Sequence, residues 1–308
     1  MWRHFRFLCL IGVYAVDALR NAPADRHASI FFVVDTMRES TDLQRAARDT
    51  WLKHARRAGH DYRFFILTQQ NDSASLGLKR DPSSSDTILV PKLKWPHNRH
   101  LREFYLLRAA FAWALEHTTA DFVVKADHDT YVCTRHLQRV LQAAPWSQFF
   151  LGFYWQKPAG CRADQNFLVY SRDALATAVN ITETLDQSRW KLNWAMTWGR
   201  IAKHLYANGR LQIVDDFARI DSQQRYHTRP GTDPLPEDYC QQRLAMHIYP
   251  AMNAVSAPKV MHQLSSLEKG LDISFLTSEP ESVRRSHLGP PRCVEGASQE
   301  CKEDWEKC

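Results

Sequence analysis

The chain has 308 residues, 44% of them apolar, and its 40 lysines and arginines against 34 aspartates and glutamates give a formal net charge of +6. This composition excludes an acidic disordered chain, a collagen and a coiled coil, and the length suits one large domain or two small ones. The positive charges never form a basic run of five or more residues. We therefore predict no nucleic-acid partner, and an anionic small-molecule substrate stays open.

Residues 1–18 have the pattern of a targeting segment. Arg3 and Arg6 supply positive charge at the start, and residues 7–16 form an apolar stretch that Asp17 ends. Because this stretch is too short to span a membrane comfortably, we predict a signal peptide cleaved after Ala18 or a short anchor that associates the protein with a membrane. Either alternative places the protein in the Golgi or endoplasmic reticulum lumen, or outside the cell. A buried N-terminal strand or helix is the competing interpretation.

Cysteines and glycosylation motifs agree with a secretory route. Removal of Cys9 with the signal leaves six of the seven cysteines, an even number suited to disulfides, and no pair has the C-x-x-C spacing of a zinc site. The triplets Asn71-Asp72-Ser73 and Asn180-Ile181-Thr182 are sequons for N-glycosylation. These features predict disulfides or free thiols in a glycoprotein.

Three apolar runs of strand length occur at residues 28–34, 62–67 and 122–124. Apolar runs of this kind, separated by helical patterns, are typical of strands buried on both faces of a mostly parallel sheet. Between the first two runs, Thr41 to Gln44 resembles a capping box that opens a helix through Trp51. Residues 99–117 predict a longer amphipathic helix, so the alternation of strand and helix indicates the α/β class.

The sequence divides into three parts. Residues 1–18 form the targeting segment, residues 28–275 the proposed domain and residues 276–308 a polar tail with cysteines and prolines. Within the domain, residues 72–86 are rich in serine and predict a surface loop.

The chemistry concentrates at Lys125 to Val132, directly after the third apolar run. In an extended backbone, Asp127 and Asp129 project to the same side, so their carboxylates could share one Mn²⁺ or Mg²⁺ ion. Open α/β sheets bind ligands at the carboxyl ends of their strands, where such an ion could bridge the two phosphates of a nucleotide-sugar. A solvated turn is the alternative interpretation of this short pattern.

These residues resemble the K-x-D-D-D-x-[FY]-V signature of glycosyltransferase family 31, the group of β-1,3-galactosyltransferases, N-acetylglucosaminyltransferases, core 1 synthase and Fringe. Residues 45–51 resemble the family's R-x-x-I-R-x-T-W helix, and residues 170–173 resemble its Y-x-x-S segment. Residues 235–239 resemble the acidic E-D-V motif, and residues 260–262 the late segment that brings a histidine to the metal. The similarity spans roughly residues 28 to 266, with its motifs in the family's order.

The resemblance implies a GT-A-like nucleotide-sugar-binding fold with a mostly parallel central sheet flanked by helices. It also implies a metal-dependent, inverting hexosyltransferase that moves a galactose or N-acetylglucosamine type of sugar from a UDP-sugar to a glycan or glycoprotein hydroxyl, forming a β-1,3 linkage. By the same resemblance, Asp127, Asp129 and His262 hold Mn²⁺ or Mg²⁺, and Asp127 and Asp129 together with Arg48 contact the nucleotide. Asp238 is the general base that deprotonates the acceptor.

Two of these roles have competing candidates. Asp216 is an alternative base, but we favour Asp238 because residues 241–248 suit the helix expected after the base. Arg48 could instead be a helix-surface arginine paired with a nearby acid.

The sequence also departs from the family pattern. His128 stands at the middle aspartate of the signature and either joins the metal or, as we favour, faces away from it. Residues 161–166 replace a glycine-rich approach to the Y-x-x-S segment. This altered loop motivates a second hypothesis, a catalytically inactive glycosyltransferase-like lectin or chaperone of the secretory pathway.

Overall fold

The computed structural model describes residues 27–68, 78–91, 99–155, 162–184, 198–215, 220–221, 237–248 and 256–269. Strands and helices alternate along these residues, which confirms the predicted α/β class. The strands are β1 (Ile30–Thr36), β2 (Asp61–Thr68), β3 (Lys79–Asp81), β4 (Ser84–Pro91), β5 (Phe122–Asp127), β6 (Thr130–Val132), β7 (Phe149–Trp155), β8 (Arg162–Ser171), β9 (Gln212–Asp215), β10 (Ile220–Asp221) and β11 (Ala245–His247). The helices are α1 (Thr41–Asp49), α2 (Trp51–Arg57), α3 (Arg99–His117), α4 (Thr134–Ala143), α5 (Arg172–Thr184), α6 (Trp198–Ala207), α7 (Tyr239–Gln242) and α8 (Ser256–Lys269).

Eight strands form a central sheet in the order β3-β4-β2-β1-β5-β8-β7-β9. The four middle strands β4, β2, β1 and β5 are parallel to one another, as predicted. The sheet then continues to β8, which is antiparallel to both β5 and β7, and ends on β9, which is parallel to β7. At the other edge, β3 is antiparallel to β4. The result is a mixed, mostly parallel sheet.

Helices cover both faces of this sheet. Along β1, Phe32 and Val34 face the layer built by α1, α2, α4 and α8, whereas Phe31 and Val33 face the layer built by α3, α5 and α6. All four side chains are almost completely buried. The continuous apolar run of β1 therefore reflects burial on both faces, as expected for a central parallel strand.

A second, small sheet joins strands that are distant in sequence, in the order β10-β11-β6. β11 is antiparallel to β6 and parallel to β10, and the Cys133–Cys240 disulfide joins the end of β6 to α7. The predicted helix over residues 241–248 is wrong: α7 ends at Gln242, and residues 245–247 form β11. The reason is that the backbone pairs with β6, beginning where the Cys133 N–H donates to the Leu244 carbonyl at 2.9 Å.

Two further local predictions need correction. The helix starts at Thr41 as predicted, but the capping box does not form, since the Gln44 amide donates to Thr36 and to the Met37 carbonyl instead. Residues 72–86 are not only a loop, because they contain β3 and the start of β4, which pairs with β2.

Some predictions fall outside the described residues. These are the targeting segment 1–18, the tail 276–308, the Asn71 sequon and Asp216.

Gly199 at the start of α6 fixes a close approach between that helix and β8. A Cβ atom at this position would lie 2.4 Å from the Ala163 Cβ and 2.7 Å from the Ala163 nitrogen. Since the obstruction includes backbone, we expect Gly199→Ala to destabilise the fold by about 1–3 kcal/mol through overpacking. Urea denaturation measures the change in the free energy of unfolding.

Gly209→Ala is a control for glycine removal without a clash, because open space surrounds a Cβ there and only the positive φ of 67° opposes it. Unchanged stability of Gly199→Ala would contradict the close packing.

Among the described residues, none of the helices combines the length and the apolar character needed to cross a membrane.

Candidate functional site

The predicted acidic pair lies where the central sheet changes the direction of its strand order. From β1 the chain continues to β2 and β4 on one side, and it then crosses to β5 on the other side. Asp127 ends β5 and is the register partner of Asp35 on β1. The carboxyl ends of these two strands thus flank a topological switch point, which is where open α/β sheets bind ligands.

Three side chains meet at this point with atoms that could hold a cation. One ligand atom from each of Asp127, Asp129 and His247 lies within 4.8 Å of the other two. Asp129 lies in the turn between β5 and β6, and His247 reaches it because β11 pairs antiparallel with β6, which places His247 opposite Thr130. Carboxylate oxygens suit Mn²⁺ and Mg²⁺, and an imidazole is a common ligand of divalent first-row metals.

The state of Asp129 fits a cation at this group. Asp129 is only 6% exposed, and its Oδ1 atom is buried without a hydrogen-bond partner. The His247 Nε2 lies 3.3 Å from this oxygen. Burial would raise the pKa of Asp129, but His247 outweighs that effect and lowers it, so the carboxylate stays ionised. A buried carboxylate that stays ionised needs a partner of opposite charge, and a cation can supply one.

A buried lysine holds the Asp127 carboxylate. Lys125 is 0% exposed, and its ammonium donates to the Asp127 carboxylate and, at 2.5 Å, to the Gln165 carbonyl. Burial would lower the pKa of Lys125, but the carboxylates of Asp127, Asp35 and Glu103 outweigh it and raise the pKa above its usual range. Burial also raises the pKa of Asp35 to about 8, with Asp127 adding to the effect and Lys125 opposing it. Lys125 therefore remains charged and holds Asp127 in place.

His128 is held by two hydrogen bonds to one backbone carbonyl. Its backbone N–H and its ring Nδ1 both donate to the Asp35 carbonyl, at 3.0 and 3.2 Å. The structure does not include it in the group formed by Asp127, Asp129 and His247.

The structure brings a different histidine to the acidic pair than the one predicted. His262 is exposed on α8 and is not part of the group, whereas His247 is 9% exposed and belongs to it. Sequence reasoning missed His247 because residues 241–248 were interpreted as a helix. The only signal for it was a histidine within a short apolar stretch, which is weak.

Arg48 forms the ion pair that was the alternative to a nucleotide contact. Its guanidinium donates twice to the Asp86 carboxylate, at 2.9 Å each, and lies over the Phe64 ring. Asp86 belongs to β4, three strand spacings from β5, which is about 14 Å at ~4.8 Å per strand. The pair uses the Nε and Nη2 atoms of Arg48, and a nucleotide contact by this residue stays a prediction.

Asp238 lies at the amino end of α7, two residues before the disulfide-bonded Cys240. Its carboxylate accepts from the Gln242 amide and is partly exposed, so it is accessible. Asp238 is outside the group of three ligand atoms, and its role as the base stays a prediction.

Comparisons with known proteins give structural neighbours only. No family model and no curated protein matches the chain. A glycosyltransferase involved in the glycosylation of the major capsid of PBCV-1 is similar with a TM-score of 0.45 and 13% identity, over 76% of this chain and 98% of that one. The galactosyltransferase LgtC, solved in complex with donor and acceptor sugar analogues, is similar with a TM-score of 0.39 and 15% identity, over 83% of this chain and 99% of that one. Both of these structural neighbours are glycosyltransferases.

Proposed function

We propose that the protein is a metal-dependent, inverting glycosyltransferase that moves a hexose of the galactose or N-acetylglucosamine type from a UDP-sugar to a glycan or glycoprotein hydroxyl, forming a β-1,3 linkage. The observation that carries this proposal is the convergence of Asp127, Asp129 and His247 at the switch point of the sheet. The ordered motifs that resemble family 31 support the same activity. The proposed β-1,3 linkage and the GT-A-like character of the fold are also taken from that resemblance.

The metal ligands in this proposal are Asp127, Asp129 and His247, so His247 takes the position that the sequence assigned to His262. A bound Mn²⁺ or Mg²⁺ would supply positive charge that neutralises the leaving diphosphate. The buried ammonium of Lys125 fixes the Asp127 carboxylate, so that this ligand is oriented before a donor binds.

Deprotonation of the acceptor is assigned to Asp238. Its carboxylate is accessible at the amino end of α7, and it would accept the proton of the acceptor hydroxyl as that oxygen attacks the anomeric carbon. The disulfide between Cys240 and Cys133 ties this residue's helix to the end of β6, the strand that follows Asp129. The disulfide therefore links the segment that carries the metal ligand Asp129 to the segment that carries the proposed base, Asp238.

We also propose that the protein works in the Golgi or endoplasmic reticulum lumen, or outside the cell, and associates with a membrane through its N-terminal segment. The Cys133–Cys240 disulfide supports this compartment, because disulfides persist in oxidising environments and are rare in the cytosol.

A panel of UDP-sugars, assayed with Mn²⁺ and with EDTA, tests the proposed activity. We expect release of UDP from one donor that depends on the metal, and loss of that release in Asp127→Asn, which keeps the side-chain shape beside Lys125. Release that persists in EDTA would contradict the metal dependence. If no donor turns over and calorimetry shows no Mn²⁺-dependent UDP binding, the result would favour the inactive, lectin-like or chaperone alternative.

A further inference from the structure

Two residues in the first half of β8 contact β5, β6 and β11, which carry or adjoin the three ligand atoms. The Gln165 carbonyl accepts from Lys125, which holds Asp127. The Asn166 carbonyl accepts from the Thr130 hydroxyl at 3.4 Å, and the Asn166 amide nitrogen lies 3.0 Å from the His247 Nδ1. Two consecutive residues of β8 thus contact side chains from β5, β6 and β11.

Asn166 contacts His247 at Nδ1, a ring nitrogen that either donates or accepts, depending on the tautomer. A neutral imidazole has one N–H and one lone pair. When the amide nitrogen of Asn166 faces Nδ1, Nδ1 accepts, and the proton is on Nε2, which lies 3.3 Å from the Asp129 Oδ1. When the amide is turned so that its oxygen faces Nδ1, Nδ1 donates, and the Nε2 lone pair is available to a cation.

We propose that Asn166 is a positioning residue that selects the tautomer of His247, and that rotation of its amide makes Nε2 available to bind the cation. The metal-binding half of this inference rests on the proposed function. The tautomer half does not, because it concerns the metal-free protein. In the turned orientation, the amide oxygen of Asn166 accepts from Nδ1 of a histidine whose Nε2 binds the cation. Metal sites commonly fix the orientation of their imidazoles in this way.

Two variants of the full chain test the inference. Asn166→Asp keeps the side-chain shape but offers only acceptor oxygens, so His247 should carry its proton on Nδ1. Asn166→Leu removes the polar contact. Nitrogen-15 NMR of the metal-free protein reports the tautomer, and calorimetry with Mn²⁺ alone reports the affinity.

We expect the Nδ1–H tautomer of His247 and tighter Mn²⁺ binding in Asn166→Asp. In Asn166→Leu we expect affinity to fall by about 10- to 100-fold, the usual cost of losing a partner of a metal ligand. Gln165→Glu is the matched control for added charge, because it places a carboxylate one residue away on the opposite face of the strand. Asn208→Leu is the control for losing an asparagine–histidine contact, since Asn208 contacts His204 after α6.

Three results would overturn the inference. These are a tautomer in Asn166→Asp that matches the wild type, wild-type Mn²⁺ affinity in Asn166→Leu, and a gain in affinity from Gln165→Glu as large as that from Asn166→Asp. If the wild-type protein binds no Mn²⁺ at all, the proposed function fails, while the tautomer measurement still decides whether Asn166 controls His247.

Discussion

Asp129→Asn should abolish Mn²⁺-dependent transfer while leaving the fold intact. The substitution keeps the size of the side chain and its place beside His247, but it removes the negative charge that a divalent cation needs. Because one of two carboxylate ligands is lost, we expect Mn²⁺ affinity to fall by about 100-fold or more, beyond the usual effect of a partner of a ligand. Calorimetry with Mn²⁺ measures the affinity, and circular dichroism with a thermal melt checks the fold. Wild-type affinity in this variant would contradict the assignment of Asp129 as a ligand.

Two histidine variants provide the matched comparison for this prediction. His247→Ala should lose Mn²⁺ binding to a similar degree, because the imidazole supplies one of the three ligand atoms. His262→Ala should retain it, because that side chain is exposed on α8 outside the group. If His262→Ala lost Mn²⁺ binding and His247→Ala retained it, the third ligand would be His262, as the family resemblance implies. That result would contradict the assignment of His247 as a ligand.

The features of the fold that the sequence predicts, and the position of the acidic pair in it, share a local signal. Asp127 and Asp129 directly follow an apolar run, and a run of this kind predicts both the strand and the position of its carboxyl end. The parallel order of β1, β2 and β5 follows from similar runs separated by helical patterns. These features depend on neighbours only a few residues apart, so a single sequence carries them.

The residues that the sequence missed depend on contacts between distant segments. His247 reaches Asp129 only because β11 pairs with β6, and the short stretch that contains it has no periodicity that separates strand from helix. The Cys133–Cys240 disulfide spans 107 residues, and cysteine counting alone could not select that pair. Gln44 illustrates the same limit within a helix, because its amide donates to residues at the end of β1 in place of the predicted capping box.

Glu268→Leu should destabilise the protein strongly. Glu268 is 0% exposed on α8, and its carboxylate accepts from the Tyr131 hydroxyl at 2.6 Å, the Thr134 hydroxyl at 3.0 Å and the Arg135 N–H at 3.2 Å. Leucine would leave these buried donors without their acceptor, at about 1–3 kcal/mol for each group. We therefore expect a loss of at least ~3 kcal/mol in the free energy of unfolding, measured by urea denaturation. A loss below ~1 kcal/mol would contradict the role of this carboxylate in joining α8 to β6 and α4.

Glu268→Gln separates the charge of this carboxyl from its hydrogen bonds, because the amide keeps the size and one acceptor oxygen. Burial raises the pKa of Glu268 above its usual range, and the hydrogen bonds from Tyr131, Arg135 and Thr134 offset only part of this effect. A raised pKa in the folded state means that the protonated form favours folding, and this stability is lost as the pH rises through the folded-state pKa. The glutamine variant lacks that titration, so its deficit relative to the wild type should be larger near about pH 4 than near about pH 8. Parallel urea titrations of the two proteins measure this difference. A deficit that grows toward high pH would mean that the fold favours the ionised carboxylate, because the buried donors would then outweigh the cost of its burial.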